Sequence, residues 1–240
     1  MPKRPFKRKP KKKNHGTNFW DAEYKNPENL SLSDKPGEDF LKFTRFLERH
    51  HKEILNNEHT VLDLGCGNGR QLVYLHNNYG IKTIGYDTSK AAVEQARLLL
   101  SSKDNKFLVR SIANPLPIPD QSISVVLDLM VSHFLSKKQR DTLLQEQLRV
   151  LAPHGFLLMK TFLGDDDLHT KRLLKEQPGP EPQTYIHPVI GVPEYVYFEE
   201  DLRTFLEPHF DIIKVYRSHK HKLRGKARKR RTITVYAQKK

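Results

Sequence analysis

The sequence is short of several things, and each shortage closes off a class of explanation. It has one cysteine, Cys66, in 240 residues. No internal disulfide framework can hold it together, and such usage fits a reducing compartment. No apolar run approaches the ~18 residues of a membrane span, and no apolar segment of a secretory signal follows the basic N-terminus. The expectation is a monomeric, cytoplasmic protein with no membrane association. Acids are missing from both ends. Residues 1–20 hold eight Lys/Arg and residues 217–240 hold eleven, with no Asp or Glu in either stretch. Taking both sets from the net charge of +14 leaves −5 for Asp21–Tyr216, so the basicity belongs to the ends and not to the body.

What is present is enough for one α/β domain. The hydrophobic fraction is 37%, sufficient for a full core. Residues 1–16 have no apolar periodicity and read as a disordered basic arm. Residues 17–58 read as an irregular lid carrying Phe19, Trp20 and Tyr24, then an amphipathic helix over Glu38–Leu55. From residue 59 strands and helices alternate: HTVLDLG, KTIGYD, NKFLVRS, ISVVLDLMV and GFLLMKTF are strands, the last entered through a turn at Pro153 and Gly155. Ser89 is placed to cap the helix that follows KTIGYD. This order predicts a doubly wound, mostly parallel sheet with right-handed crossovers. Residues 163–197 form a proline-bearing, irregular insertion. EEDLRTFL reads as a helix, and two closing strands flank a basic loop over 217–231.

The most informative stretch is TVLDLGCGNGR, Thr60 to Arg70. A dinucleotide turn wants G-x-G-x-x-G. Here Gly65 and Gly67 are present, Arg70 stands where the third glycine belongs, and the extra glycine is Gly69. Asp63 precedes the turn. A carboxylate at a partly desolvated turn repels a pyrophosphate and suits a cationic ligand such as S-adenosylmethionine (SAM), with its sulfonium and ammonium.

The chain resembles the class I SAM-dependent methyltransferases. VLDLGCGNG is similar to that family's first motif and GYDTS to its second. PLPIPDQSISVVLDLMVSHFL and LRVLAPHGFLLMK resemble the segments around its fourth and fifth strands, so the likeness covers roughly residues 59–162. The resemblance implies a seven-stranded sheet with an antiparallel last strand over 59–240. It also implies SAM as cofactor, with Asp63, Gly65, Cys66 and Gly67 around it. Asp87 would hold the ribose, with Thr88 beside the adenine. Ile112 and Ala113 would replace the family's usual Asp-Ala pair, and Asp128 would lie near the methyl group. The fourth strand ends in DLMVSH and not in an Asn/Asp-Pro-Pro-Tyr motif, which argues against an exocyclic base amine as acceptor.

Several residues have a functional and a bland reading. His133, then Asp128, are candidate general bases, His133 because imidazole titrates near pH ~6.5; either can equally be a satisfied structural group. Trp20, Tyr185, His187 and Tyr195 are candidates for an acceptor pocket, or simply pack loops. Asp165, Asp166, Asp167 and His169 resemble a metal cluster on paper, but acids before a helix cap it, and no metal is expected. The basic segments 1–13 and 217–231 read as solubilising tails, a localisation signal or contacts to RNA phosphate. The reading leans to a small-molecule methyltransferase. An RNA or ribosome-associated methyltransferase and a non-catalytic RNA-binding or assembly protein are the alternatives.

Overall fold

The computed structural model describes residues 16–29, 32–219 and 229–240, and the backbone of 222–223 and 226–227. The basic arm 1–15, residues 220, 221, 224, 225 and 228 of the basic loop, and the side chains of 222–223 and 226–227 therefore lie outside the described residues.

Two helices come first, α1 (Thr17–Lys25) and α2 (Glu38–His50). The alternating body follows as β1 (Thr60–Leu64), α3 (Arg70–Tyr79), β2 (Lys82–Asp87), α4 (Lys90–Leu99), β3 (Asn105–Val109), β4 (Ile123–Leu129), α5 (Lys137–Val150) and β5 (Leu151–Phe162). The insertion holds α6 (Leu168–Glu176) and a small hairpin of β6 (Thr184–Ile186) and β7 (Pro193–Tyr195). α7 (Glu199–Leu206), β8 (Phe210–Arg217), the two-residue strands β9 (Lys222–Leu223) and β10 (Lys226–Ala227), and β11 (Thr232–Lys239) complete the chain.

Seven strands form one sheet in the order β3-β2-β1-β4-β5-β11-β8. The first five are parallel, and β11, last in the chain, runs antiparallel to both β5 and β8. That is the expected doubly wound sheet with its reversed closing strand. The reversal at β1, where the order turns from β2–β3 to β4–β5, opens a crevice at the strands' carboxyl ends.

Each sheet face has its own apolar layer. Val61, Val125 and Leu127 pack with Phe40 and Phe43 of α2, Leu72 of α3 and Val93 of α4. Leu62, Leu64 and Val126 pack instead with Leu143 and Leu144 of α5 and Leu202 and Leu206 of α7. Alternation along β1 and β4 sorts these residues, since successive side chains leave opposite faces. Phe43, 1% exposed and in edge contact with Tyr236 at 4.9 Å, is the sort of anchor whose truncation costs about 3–5 kcal/mol.

Local differences from the sequence reading have physical causes. Residues 17–25 are helical and not irregular: Phe19 and Glu23, four apart, are both buried, and Glu23 accepts bonds from the Glu28 and Asn29 N–H groups, folding the chain back after the helix. α2 stops at His50, and a short 3-10 turn carries the chain to Ile54. The turn at Pro153 lies inside a longer β5, where His154 takes a φ of 59° and the β4 ladder shifts register. Ser89 caps α4 as expected, its hydroxyl accepting from Ala92 N–H at 3.1 Å. No described helix is long and apolar enough to cross a membrane.

Candidate functional site

The crevice is built first by backbone. Leu64 of β1 lies opposite Tyr86 of β2, and the Gly65 and Cys66 N–H groups both donate to the Tyr86 carbonyl, at 2.7 and 2.9 Å. The glycine turn is thereby tied to the end of β2. Gly67 has a φ of +55°, and a Cβ there would stand 2.2 Å from the Tyr24 hydroxyl. At Gly65, with φ +71°, it would stand 2.5 Å from Cγ2 of Val131. Both positions exclude a side chain by conformation and by contact.

Asp87 closes the loop from the other side. Its Oδ2 accepts from Gly67 N–H at 2.9 Å and its Oδ1 from Ser89 N–H at 2.8 Å. Burial pushes its pKa up while those N–H groups pull it back. Asp63 is more deeply buried, and its pKa is raised well above the ordinary value, first by burial and then by the Asp87 charge. Two carboxylates that raise the free energy of each other's ionised forms at one cavity are relieved by a cation. Cys66 lines the same cavity with a buried thiol whose pKa burial also raises.

The N-terminal segment covers this loop. Asp21 of α1 accepts from Ala91 N–H at 2.9 Å and the Ser89 hydroxyl at 3.2 Å, so a carboxylate from one helix caps another. Gln95 donates to the Tyr24 carbonyl at 2.6 Å. Beyond the helix, Asn68 and Arg70 donate to the Ser33 carbonyl at 3.2 and 3.1 Å. Beneath lies a cavity of about 410 Å³. Asp63, Gly65, Cys66, Gly67, Asp87 and Thr88 line one part of it, and Ile112 and Trp20 also reach it. Trp20 meets Phe134 edge-on at 5.5 Å, and Met130, Val131 and Leu135 continue that wall.

Other expected residues are elsewhere. Asp128 does not line the cavity, for a reason of pleat. In the β1–β4 ladder Asp63 is opposite Leu127, and Asp128 is opposite Leu64. Asp63 thus shares a face with Leu127, and Asp128 leaves the sheet on the α5 side. There it accepts from Ser132 N–H at 3.2 Å and Gln147 Nε2 at 3.3 Å, and burial pushes its pKa up to about 6. His133 is 1% exposed, packed against Phe134 and Phe162, with its Nδ1 3.4 Å from the Thr161 hydroxyl. Burial pushes its pKa down to about 4. Neither Asp128 nor His133 lines the cavity. Ala113 is also outside the cavity wall; its N–H donates to the Ser111 hydroxyl at 3.2 Å.

The insertion aromatics pack among themselves. The fully buried Tyr185 bonds Glu194, which is 1% exposed, and Arg230 bonds both. Tyr195 donates to Gln183 at 2.6 Å beneath Arg140, whose guanidinium lies 3.7 Å from its ring. His187 Nδ1 accepts from Ile190 N–H at 3.1 Å. None of Tyr185, His187 and Tyr195 lines the cavity. The basic loop is likewise partly consumed: Arg217 pairs with Glu199, Arg230 with Glu194 and Arg231 with Asp166. The acidic run has separate structural tasks. Asp167 caps α6, accepting from His169 and Thr170 N–H at 2.7 and 3.0 Å, and Asp165 accepts from Glu199 N–H at the start of α7.

Sequence reasoning overlooked Tyr24, Asn68, Arg70, Arg110, Ser111 and Phe134 as cavity residues. Asn68 and Arg70 sit inside the glycine motif itself, so their places were available to be read. Arg110 and Ser111 follow β3 directly, at the carboxyl end of a strand where ligands bind.

The comparisons agree with this geometry. The methyltransferase-domain family matches residues 61–155. O-methyltransferase resE of Aspergillus sclerotiorum is 27% identical over 154 residues, 64% of this chain and 55% of that protein. Probable tRNA methyltransferase 9B of Mus musculus is 34% identical over 100 residues, 41% of this chain and 21% of that protein. The chain thus spans about half the length of the first and about a fifth of the second. A SAM-dependent methyltransferase of Methanosarcina mazei shares the fold, with a TM-score of 0.63 at 22% identity over 78% of this chain and 95% of that one. With the glycine turn, the strand-end carboxylates and the reversed seventh strand in place, the chain carries a methyltransferase domain over residues 61–155 and has the fold of the SAM-dependent methyltransferases.

Proposed function

We propose that the protein transfers the methyl group of SAM to a small-molecule acceptor with an apolar or aromatic face. One observation carries the reading: beside the carboxylates the cavity is walled by Trp20, Met130, Val131, Phe134 and Leu135, and the chain's own residues 17–29 and 32–33 cover it. Bound SAM supplies a methyl group already activated on a sulfonium, with S-adenosylhomocysteine as the leaving product. The residues need only hold and align. Asp87 offers carboxylate oxygens toward ribose hydroxyls, Asp63 offsets the ligand's positive charge, and Trp20 with Phe134 keeps water out. Alignment of this kind contributes about 7–11 kcal/mol. Because His133 and Asp128 do not line the cavity, the reading calls for an acceptor whose nucleophile carries a lone pair or is already ionised.

A second reading, methylation of RNA, is favoured by one specific arrangement. Gly16, from which the basic arm extends, lies 3.6 Å from Val192 by its would-be Cβ, and Arg230, at the end of the basic loop, bonds Glu194. Both basic segments therefore leave the body beside one hairpin. Under this reading they gather phosphate by counterion release. Turnover of labelled SAM by the full chain and by a variant lacking residues 1–15 separates the two. A panel of small phenols and heterocycles is assayed beside total tRNA and rRNA. Small-molecule turnover unaffected by the deletion supports the first reading. Salt-dependent RNA turnover that the deletion removes replaces it with the second.

A further inference from the structure

β3 is an open edge of the sheet, and it is unusually apolar. Of eight large apolar side chains exposed among the described residues, four lie here: Leu98 and Leu99 at the end of α4, and Leu108 and Val109 on β3. Leu98 and Val109 are 85% and 51% exposed. Arg97 joins the two elements, donating from Nε and Nη2 to the Phe107 carbonyl at 3.0 and 2.5 Å. Beside that contact runs a groove of about 290 Å³ lined by Leu100, Asn105, Lys106 and Leu108 among others.

Part of the backbone there is already engaged, the Phe107 carbonyl by Arg97 and the Asn105 N–H by the Ser102 carbonyl at 3.2 Å, and the Phe107 and Val109 N–H groups are the ones a new strand would meet. Thr83 N–H donates to the Asp104 carbonyl and Arg110 N–H to the Asp87 carbonyl, so the even-numbered residues of this stretch face β2. By alternation Asn105, Phe107 and Val109 turn their main-chain groups to the open side. Natural edges are usually blunted by charge or bulges. The opposite edge, β8, also exposes Ile213 and Tyr216 but flanks them with the exposed Asp211 and Arg217. β3 has Lys106 as its exposed charge, followed by Phe107, Leu108 and Val109.

We infer that β3 is a docking edge for another protein, which adds a strand bearing apolar and acidic side chains. Strand addition supplies main-chain hydrogen bonds while pockets for alternate side chains supply specificity. Charge identifies the partner's chemistry. Beside the edge stand Arg97, Lys103 and Lys106 against one acid, Asp104, while Arg110 turns to the cavity and donates to the Pro115 carbonyl at 2.8 Å. A second copy of this chain would bring the same cations face to face, whereas an acidic strand would neutralise them. The inference does not depend on which acceptor is methylated.

The test uses the full, isotope-labelled chain with two short synthetic strands as probes, one alternating valine with glutamate and one alternating valine with lysine. The acidic strand is expected to shift the amide signals of Phe107 and Val109 and to bind at least about tenfold more tightly than the basic one. Lys106→Glu and Leu108→Asp should each remove that binding, with Leu98→Asp as a second surface variant. Unchanged melting temperature and S-adenosylhomocysteine affinity in these variants show that the fold is intact. Equal binding of the two probes, or no shift at β3 with either, overturns the inference. So does a dimer of the chain alone that Leu108→Asp dissociates, since the occupant would then be a second copy.

Discussion

Asp63 and Asp128 sit near the ends of adjacent strands, one residue out of step in the β1–β4 register. That single step sends one carboxylate into the cavity with Asp87 and the other into the layer beneath α5. The two regions spend burial differently. At the glycine turn, Asp63 and Asp87 share one cavity wall, with Asp87 also accepting from the Gly67 and Ser89 N–H groups. At the end of β4, Asp128 and His133 are each satisfied by neighbouring protein groups and hold the turn between β4 and α5. Similar residue types near similar strand ends thus line a cavity in one place and lie in a packed layer in the other.

The largest expected effect breaks the cavity side alone. Gly67→Ala puts a methyl where the Tyr24 hydroxyl lies and strains a φ of +55°. Calorimetric titration with S-adenosylhomocysteine should show at least about a hundredfold loss of affinity, near 3 kcal/mol. Asp128→Asn in the same assay should stay within about threefold. A comparable loss in both variants would mean that the two faces are not functionally distinct.

The β4 side should instead show itself in stability against pH. Asp128 has its pKa raised to about 6, so its contribution is fully present below the unfolded carboxylate value and is lost as pH rises through 6. His133, lowered to about 4, contributes stability present above the unfolded imidazole value and lost as pH falls through 4. Each amounts to about 3 kcal/mol across its window. Urea unfolding between pH 4 and 8 should therefore give opposite changes of slope: Asp128→Asn should remove the loss toward neutral pH, and His133→Gln the loss toward acid. Wild-type slopes in both variants would contradict this account.

Smaller effects sharpen the comparison. Asp21→Ala removes the carboxylate that α1 lends to the start of α4. About 1 kcal/mol should be lost from stability, together with about a fivefold weakening of cofactor binding. Trp20→Ala loses its edge contact with Phe134 at 5.5 Å, worth about 0.5–1.5 kcal/mol. It should raise the acceptor KM several-fold; unchanged KM and unchanged cofactor affinity would take Trp20 out of the site. Tyr195→Phe, which deletes the bond to Gln183, should cost about 1 kcal/mol of stability with turnover intact.

The cofactor half was legible because its requirements are local. Three glycines in five residues, an acid two residues before them and another ending the next strand constrain one turn and its neighbour. The α1 helix was not legible: its burial pattern depends on contacts with α4 and on the fold-back at Glu28 and Asn29. The β6–β7 hairpin has strands of three residues, too short to display an alternation. The acceptor wall joins Trp20 to Phe134, more than a hundred positions apart, and no periodicity links them.

The sequence by itself determined the order of strands and helices, the cap at Ser89 and the kind of ligand the glycine turn suits. Each rests on chemistry between residues close in the chain or on a repeat period. Only the tertiary structure decided which face each strand-end acid takes, and that the insertion's aromatics stay with Glu194 and Arg230 or with Gln183 and Arg140. It also decided that α1 closes the cavity. The reason is geometric: a one-residue change in register exchanges the faces of a sheet, and register is set by partners that the local sequence does not name.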